Sequence, residues 1–277
     1  MTAIKVNGQQ DSDTAVVTVV DTIGPALNPS GINIGLDVAG QASITVADID
    51  QNVSDACGLD SVYLSKYTFD CNDVGNNNIN IIAVDVNGNL TSSTAVVGVA
   101  DTISPAITVN NHSLTLDASG MGSILLSDVS TSGADACGMD SIYLSQYNFS
   151  CADAGLNTVQ VSAIDVNGNT TIKPVQVTVK DTTPPVISTM NYTLFLDGNG
   201  SGSIAPADVA SDADACGIDT IILDRYNFSC ADIGSHSVHI TATDVAGNQA
   251  MDSAVVSVSD TVSPIVSATN VNVYLDI

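Results

Sequence analysis

The chain has 277 residues, 30 acidic and 5 basic, for a net charge of -25. That balance excludes a nucleic-acid-binding face, which must be basic, and opposes docking on an anionic membrane; it suits solubility and cation binding. Every acidic residue is Asp and none is Glu, while Val, Ile, Thr, Ser, Asn and Gly abound. Asp favours turns and caps where Glu favours helices, so the composition predicts an all-β fold. The apolar content of 44% and strict alternation argue against disorder.

Met1–Gln9 aligns with Val161–Asn169, so residues 1–20 read as the end of a preceding repeat, with Lys5 where the later copies carry Asp. Asp21-Thr22, Asp101-Thr102, Asp181-Thr182 and Asp260-Thr261 then open successive units at spacings of 80, 80 and 79 residues. A fixed period is the mark of an array. The divisions are 21–100, 101–180 and 181–259, and 260–277 begins another copy, matching Tyr274–Ile277 to Leu114–Asp117. The natural polypeptide is expected to be longer at both ends.

The second copy serves for all three. Asp101–Pro105 is a linker, since Pro ends a ladder. Residues 107–117 alternate as a first strand broken near Asn110-Asn111, 118–122 turn, and 123–126 form the next strand. Residues 128–138 read as a polar loop, 141–144 and 147–149 as short strands, and 152–155 as a turn. Val159, Val161 and Ala163 alternate in a longer strand. Asp165-Val166-Asn167-Gly168-Asn169 is an Asn-Gly hairpin turn, and Val175, Val177 and Val179 lead to the next linker. Seven short strands in 80 residues predict a Greek-key, immunoglobulin-like β-sandwich. Short Pro-bearing linkers predict an extended rod of such modules. Tyr67/Phe69, Tyr147/Phe149 and Tyr226/Phe228 lie two apart and are predicted to share one face as core.

Each copy holds two cysteines 14 positions apart. One disulfide within each copy is therefore expected: Cys57–Cys71, Cys137–Cys151 and Cys216–Cys230. A bridge closing so short a loop contributes roughly 3 kcal/mol in the chain-entropy model, and it implies an oxidising, extracytoplasmic setting. No CxxC with flanking His supports zinc.

The pattern DTxxP, then DACG, then CADxG or CNDxG, then DVxGN, resembles the hyalin-repeat and bacterial Ig-like modules of giant surface proteins in Bacteroidetes. The resemblance covers all three full copies and both partial ones. It implies a secreted cell-surface array exported by the type IX route, with gliding adhesins among its relatives. A further Cys often found in the last strand of hyalin-repeat modules has no counterpart here.

In such a sandwich the arriving linker meets the last hairpin. Asp21 should approach Asp85, Asn87 and Asn89, with Asp48, Asp55 and Asp60 near them. Asp101 should approach Asp165, Asn167 and Asn169, and Asp181 should approach Asp244 and Asn248. The preceding copy adds turns that include Asp37 and Asp73. Crowded carboxylates repel unless a cation intervenes, and Ca²⁺ accepts six to eight oxygens in irregular geometry. The alternative is a plain hairpin with Asp as an Asx-turn former. Ala246 stands at the Asn87/Asn167 position, so that side chain is dispensable.

Asp-Ser/Thr-aliphatic at Ser61, Ser141 and Thr220 resembles the Bacteroidetes O-glycosylation signal, with plain strand sequence as the alternative. His112, His236 and His239 share no repeat column, and no catalytic motif survives inspection. The expected role is structural: a shaft segment of an extracellular adhesin, its partners being neighbouring repeats of the same chain. A glycan- or host-protein-binding array and the accessory modules of a secreted enzyme are the alternatives.

Overall fold

A computed structural model describes residues 1–273. The match of Tyr274–Ile277 to a further copy lies outside them. Packing divides the chain into two compact units. The first comprises residues 1–107, 133–142 and 163–171, and the second comprises 108–132, 143–162 and the chain from 172 onward.

In the first unit the alternating run Ile79, Ile81, Ala83 lies on strand Gly75–Asp85, which pairs antiparallel with Leu90–Ala100 and with Leu59–Leu64. Ile32–Gly35 adds to the other side of Leu90–Ala100 in parallel. A second, two-stranded layer pairs Gln41–Ser43 with Thr68–Asp70. Leu36, Ile44, Leu64, Phe69, Ile79, Ile81, Val97 and Val99 pack together between the layers. Each such side chain contributes about 1.5–3 kcal/mol on burial.

The second unit repeats this plan. Its four strands run in the order Tyr192–Phe195, Gln249–Ser259, Gly234–Asp244, Ile218–Leu223. Ser201–Ser203 pairs with Asn227–Ser229, and Leu194, Phe228, Val238, Ile240 and Val256 form the core. The middle copy contributes two pairs in the same registers, His112–Thr115 beside Val177–Lys180 and Met121–Ser123 beside Asn148–Ser150. The fold is all-β, with the immunoglobulin-like sandwich plan repeated along the chain.

Three local expectations are corrected. The strand after the turn ends at Ser123, and Leu126–Val129 is a single helical turn. Its Asp128 carboxylate accepts the Leu125 N–H at 2.7 Å, an acidic cap that ends the extended run. The polar loop contains strand Ser130–Ala134, and its counterpart Ala210–Ala213 pairs antiparallel with Val186–Thr189. This pairing uses backbone groups at a sheet edge, so polar side chains conceal it. Phe69, Phe149 and Phe228 are buried, but Tyr67, Tyr147 and Tyr226 are about 40% exposed. Each tyrosine precedes its strand, so period-two alternation does not reach it. Its hydroxyl instead accepts the N–H of Leu64, Leu144 or Leu223.

The expected disulfides are also corrected. Leu59 lies opposite Asp85 beside the last hairpin, whereas Asp70 lies opposite Gln41 beside the Asp37–Gly40 turn, and Gly75 opposite Val99 near the exit. Between Cys57 and Cys71 the chain never turns back. It runs through Leu59–Leu64 and then Thr68–Asp70, from the leading end of the module to the trailing end. The 11-residue strand Gly75–Asp85 covers that same length, roughly 35 Å, and a disulfide needs Cα atoms about 4.4–6.8 Å apart. Cys71 is bonded to Cys137 and Cys151 to Cys216, with Cα–Cα distances of 5.1 Å in both. Cys57 and Cys230 are free and exposed.

Candidate functional site: the module junction

Each junction is built from a linker, a DACG turn and a hairpin of the arriving copy, set against a turn of the departing one. In the first unit Asp165 lies at the hairpin corner, where its Oδ1 accepts the N–H groups of Asn167 and Asn169 at 2.9 and 2.8 Å. Its Oδ2 accepts the Asn169 side-chain amide at 2.9 Å. That amide also donates to the backbone carbonyl of Asp101 at 3.2 Å, fixing the linker to the hairpin. The Val166 N–H donates to Gly138 O at 3.2 Å and attaches the DACG turn. Gly138 has φ +112°, which favours glycine there.

The second unit has the same geometry. Asn248 donates to Asp244 Oδ2 at 2.8 Å and to Asp181 O at 3.3 Å. In the first copy Asn89 donates to Asp85 Oδ2 at 2.7 Å and to Asp21 O at 3.2 Å. Asp85 and Asp165 are nearly fully buried. Burial works to raise their carboxyls. Hydrogen bonds from the asparagine side chain and from three backbone N–H groups outweigh it and hold both below the ordinary value. The leading hairpin, Thr2–Ile4 with Gln10–Ser12, closes with Lys5 in place of Asp.

The predicted approach of linker and hairpin is present, but the hairpin Asp and Asn engage each other. Asn87 and Asn167 are exposed and offer the hairpin their backbone N–H. The carboxylates that remain together are the linker Asp and the Asp of DACG. Oxygens of Asp101 and Asp135 and the sulfur of Cys137 lie within 4.8 Å of one another, as do those of Asp181, Asp214 and Cys216, and of Asp21, Asp55 and Cys57. Asp135 Oδ1 accepts the Cys137 N–H at 2.8 Å, and Asp101 Oδ1 accepts the Ile103 N–H at 3.0 Å. Asp101 Oδ2 and Asp181 Oδ2 are buried without a hydrogen-bond partner. Sequence reasoning placed Asp55 near this cluster but missed Asp135 and Asp214, which the repeated DACG motif would have supplied.

On the departing side, Asp37 Oδ1 accepts the N–H groups of Ala39 and Gln41 at 2.8 and 3.0 Å, shaping the turn that Cys71 packs against. Asp73 pairs with Lys66, and Asp232 with Arg225 at 2.5 Å. Ser61, Ser141 and Thr220 lie on the Leu59–Leu64, Met139–Leu144 and Ile218–Leu223 strands. Ser61 and Ser141 are half-buried and Thr220 is exposed. His236 contacts Asp232 O at 2.7 Å and His239 contacts Ser253 Oγ at 2.8 Å.

No protein-family model and no curated protein matches the chain. Solved structures similar to it include sidekick-1 immunoglobulin domains 1–5 (12% identity, 94% of this chain and 66% of that one, TM-score 0.36). Others are the protocadherin gamma-B4 extracellular domain (14%, 93% and 58%, 0.33) and mouse cadherin-23 EC22–24 (15%, 86% and 99%, 0.32). The chain thus spans 58% of the protocadherin's length.

Proposed function

We propose that this chain is a load-bearing shaft segment of an extracellular adhesion array, the stalk of a bacterial surface adhesin of the gliding type. The observation that carries the reading is the route of the covalent chain. Tension entering from the N-terminus reaches Cys71, crosses to Cys137, follows 14 residues to Cys151, and crosses again to Cys216. The segments of 66 and 65 residues spanned by the bridges are bypassed. Fully drawn out, the 14-residue path measures about 50 Å, against roughly 270 Å for an unbridged 80-residue repeat. A module of this kind holds its length even if its sandwich fails. Disulfides of this sort also belong to an oxidising exterior. Catalysis plays no part in the reading.

The same reading includes calcium at the junctions, held by a different set of ligands from the hairpin residues. Asp101 Oδ2, buried and unpartnered, and the neighbouring Asp135 carboxylate are hard oxygen donors suited to Ca²⁺. Asp165 and Asn169 are engaged in the turn and the linker.

Single-molecule pulling tests the shaft. Reducing the bridges should lengthen the maximal extension by roughly 220 Å per junction. Equal extension of oxidised and reduced chains would overturn the reading.

A further inference from the structure

In both bonded junctions the departing cysteine lies against a glycine carbonyl in the trailing-end turn. Cys71 Sγ is 3.8 Å from Gly40 O, and Cys151 Sγ is 3.6 Å from Gly120 O. The arriving copy's Ala-Cys packs directly over that glycine. A Cβ on Gly40 would meet Ala136 Cβ at 3.2 Å and Cys137 Sγ at 3.6 Å, and one on Gly120 would meet Ala215 Cβ at 3.2 Å and Cys216 Sγ at 3.4 Å. The third copy has the same half of this arrangement, with Cys230 Sγ 3.6 Å from Gly200 O. Above it lies a groove of about 610 Å³ lined by Asp197, Gly200, Cys230, Asp260 and Pro264 among others. The complementary half is Asp55-Ala56-Cys57-Gly58. Asp55 Oδ1 accepts the Cys57 N–H at 2.8 Å, the distance found at Asp135–Cys137 and Asp214–Cys216, and Ala56 and Cys57 are exposed.

We infer that the Cys230 groove is a receptor for the Asp-Ala-Cys-Gly turn of a further copy of this module, sealed by a disulfide, and that Asp55–Gly58 is the matching plug. The argument rests on the two bonded junctions and not on the adhesin reading. The chemistry is that of two thiols. Cys230 thiolate attacks a small disulfide such as oxidised glutathione and expels one glutathione thiolate. The ionised plug cysteine then attacks the mixed disulfide at Cys230 and expels the second. Two thiols lose two protons and two electrons, and one glutathione disulfide becomes two glutathiones. The further copy can belong to a longer chain or to a second molecule. Bridging within a chain is independent of protein concentration, whereas bridging between chains rises with it.

The test mixes two full-length variants, Cys57→Ser and Cys230→Ser, in a glutathione redox buffer. Salt of roughly 0.5 M screens the repulsion between acidic chains. Each variant alone should remain monomeric on a non-reducing gel. The mixture should form a covalent heterodimer whose peptide map shows Cys57 of one chain bonded to Cys230 of the other. Adding Ala56→Gln to the Cys57-bearing variant leaves the thiol in place but crowds the glycine turn, and should lower the heterodimer yield about tenfold, because bridging needs close Cα approach. Homodimers as abundant as the heterodimer, no heterodimer at all, or a yield indifferent to Ala56→Gln would each overturn the proposal.

Discussion

The side-chain amide of Asn169 donates to the backbone carbonyl of Asp101, 68 residues earlier in the chain, at 3.2 Å. One side chain thus binds the arriving linker to the hairpin whose corner it also closes. The same contact recurs between Asn248 and Asp181 and between Asn89 and Asp21.

Asn169→Ala should therefore loosen the linker as well as the turn. Losing these half-buried hydrogen bonds should cost about 1–2 kcal/mol, measured as a fall in thermal stability, with faster amide exchange at Ile103. Asn167→Ala should be nearly neutral, since that side chain is exposed and the third copy carries Ala246 there. Equal losses from the two substitutions would contradict the assignment.

Peptide mapping without reduction should recover Cys71 joined to Cys137 and Cys151 joined to Cys216. Each bridge closes a loop of about 65 residues and contributes roughly 4 kcal/mol in the chain-entropy model. Fragments joining Cys57 to Cys71 would require a fold in which the chain reverses between them.

Acid should act first on the hairpins. Asp85 and Asp165 have folded values below the ordinary 3.8. Between the two values the unfolded chain binds more protons, so this stability is complete above 3.8 and is lost as pH falls through the folded value. The native signal should hold to about pH 4 and decline below it. Asp232, held down to about 2 by its hydrogen bond with Arg225 and the Ser229 N–H, should titrate last. Arg225→Gln should raise its value, as followed by carboxyl NMR.

Cys57 should alkylate slowly for an exposed thiol. A hydrogen bond to Asp21 and that residue's charge, with Asp55 and Asp85 nearby, push its value above the ordinary 9.0. The reactive thiolate therefore appears only at higher pH. Asp21→Asn should speed iodoacetamide labelling at pH 8.5, and an unchanged rate would remove Asp21 as the cause.

Calorimetry with Ca²⁺ should show binding that Asp101→Asn or Asp135→Asn abolishes, while Asn167→Ala leaves it intact. Heat unaffected by the Asp101 and Asp135 substitutions would remove calcium from the junction.

The three-fold period, the β character, the Asn-Gly hairpins and the alternating core of Val159, Val161 and Ala163 were legible in the sequence, because each depends on neighbours a few residues apart. The meeting of linker and hairpin could be anticipated from the sandwich plan. Which groups engage there could not, since Asn169 reaches a carbonyl that belongs to no side chain and carries no sequence signal. The cysteines show the same division. Their spacing of 14 is a local fact that fits a small closed loop equally well. Only the strand registers reveal that those residues run the length of the module. A disulfide is decided by proximity in space, and the cysteine nearest Cys71 is carried there by the next copy of the fold.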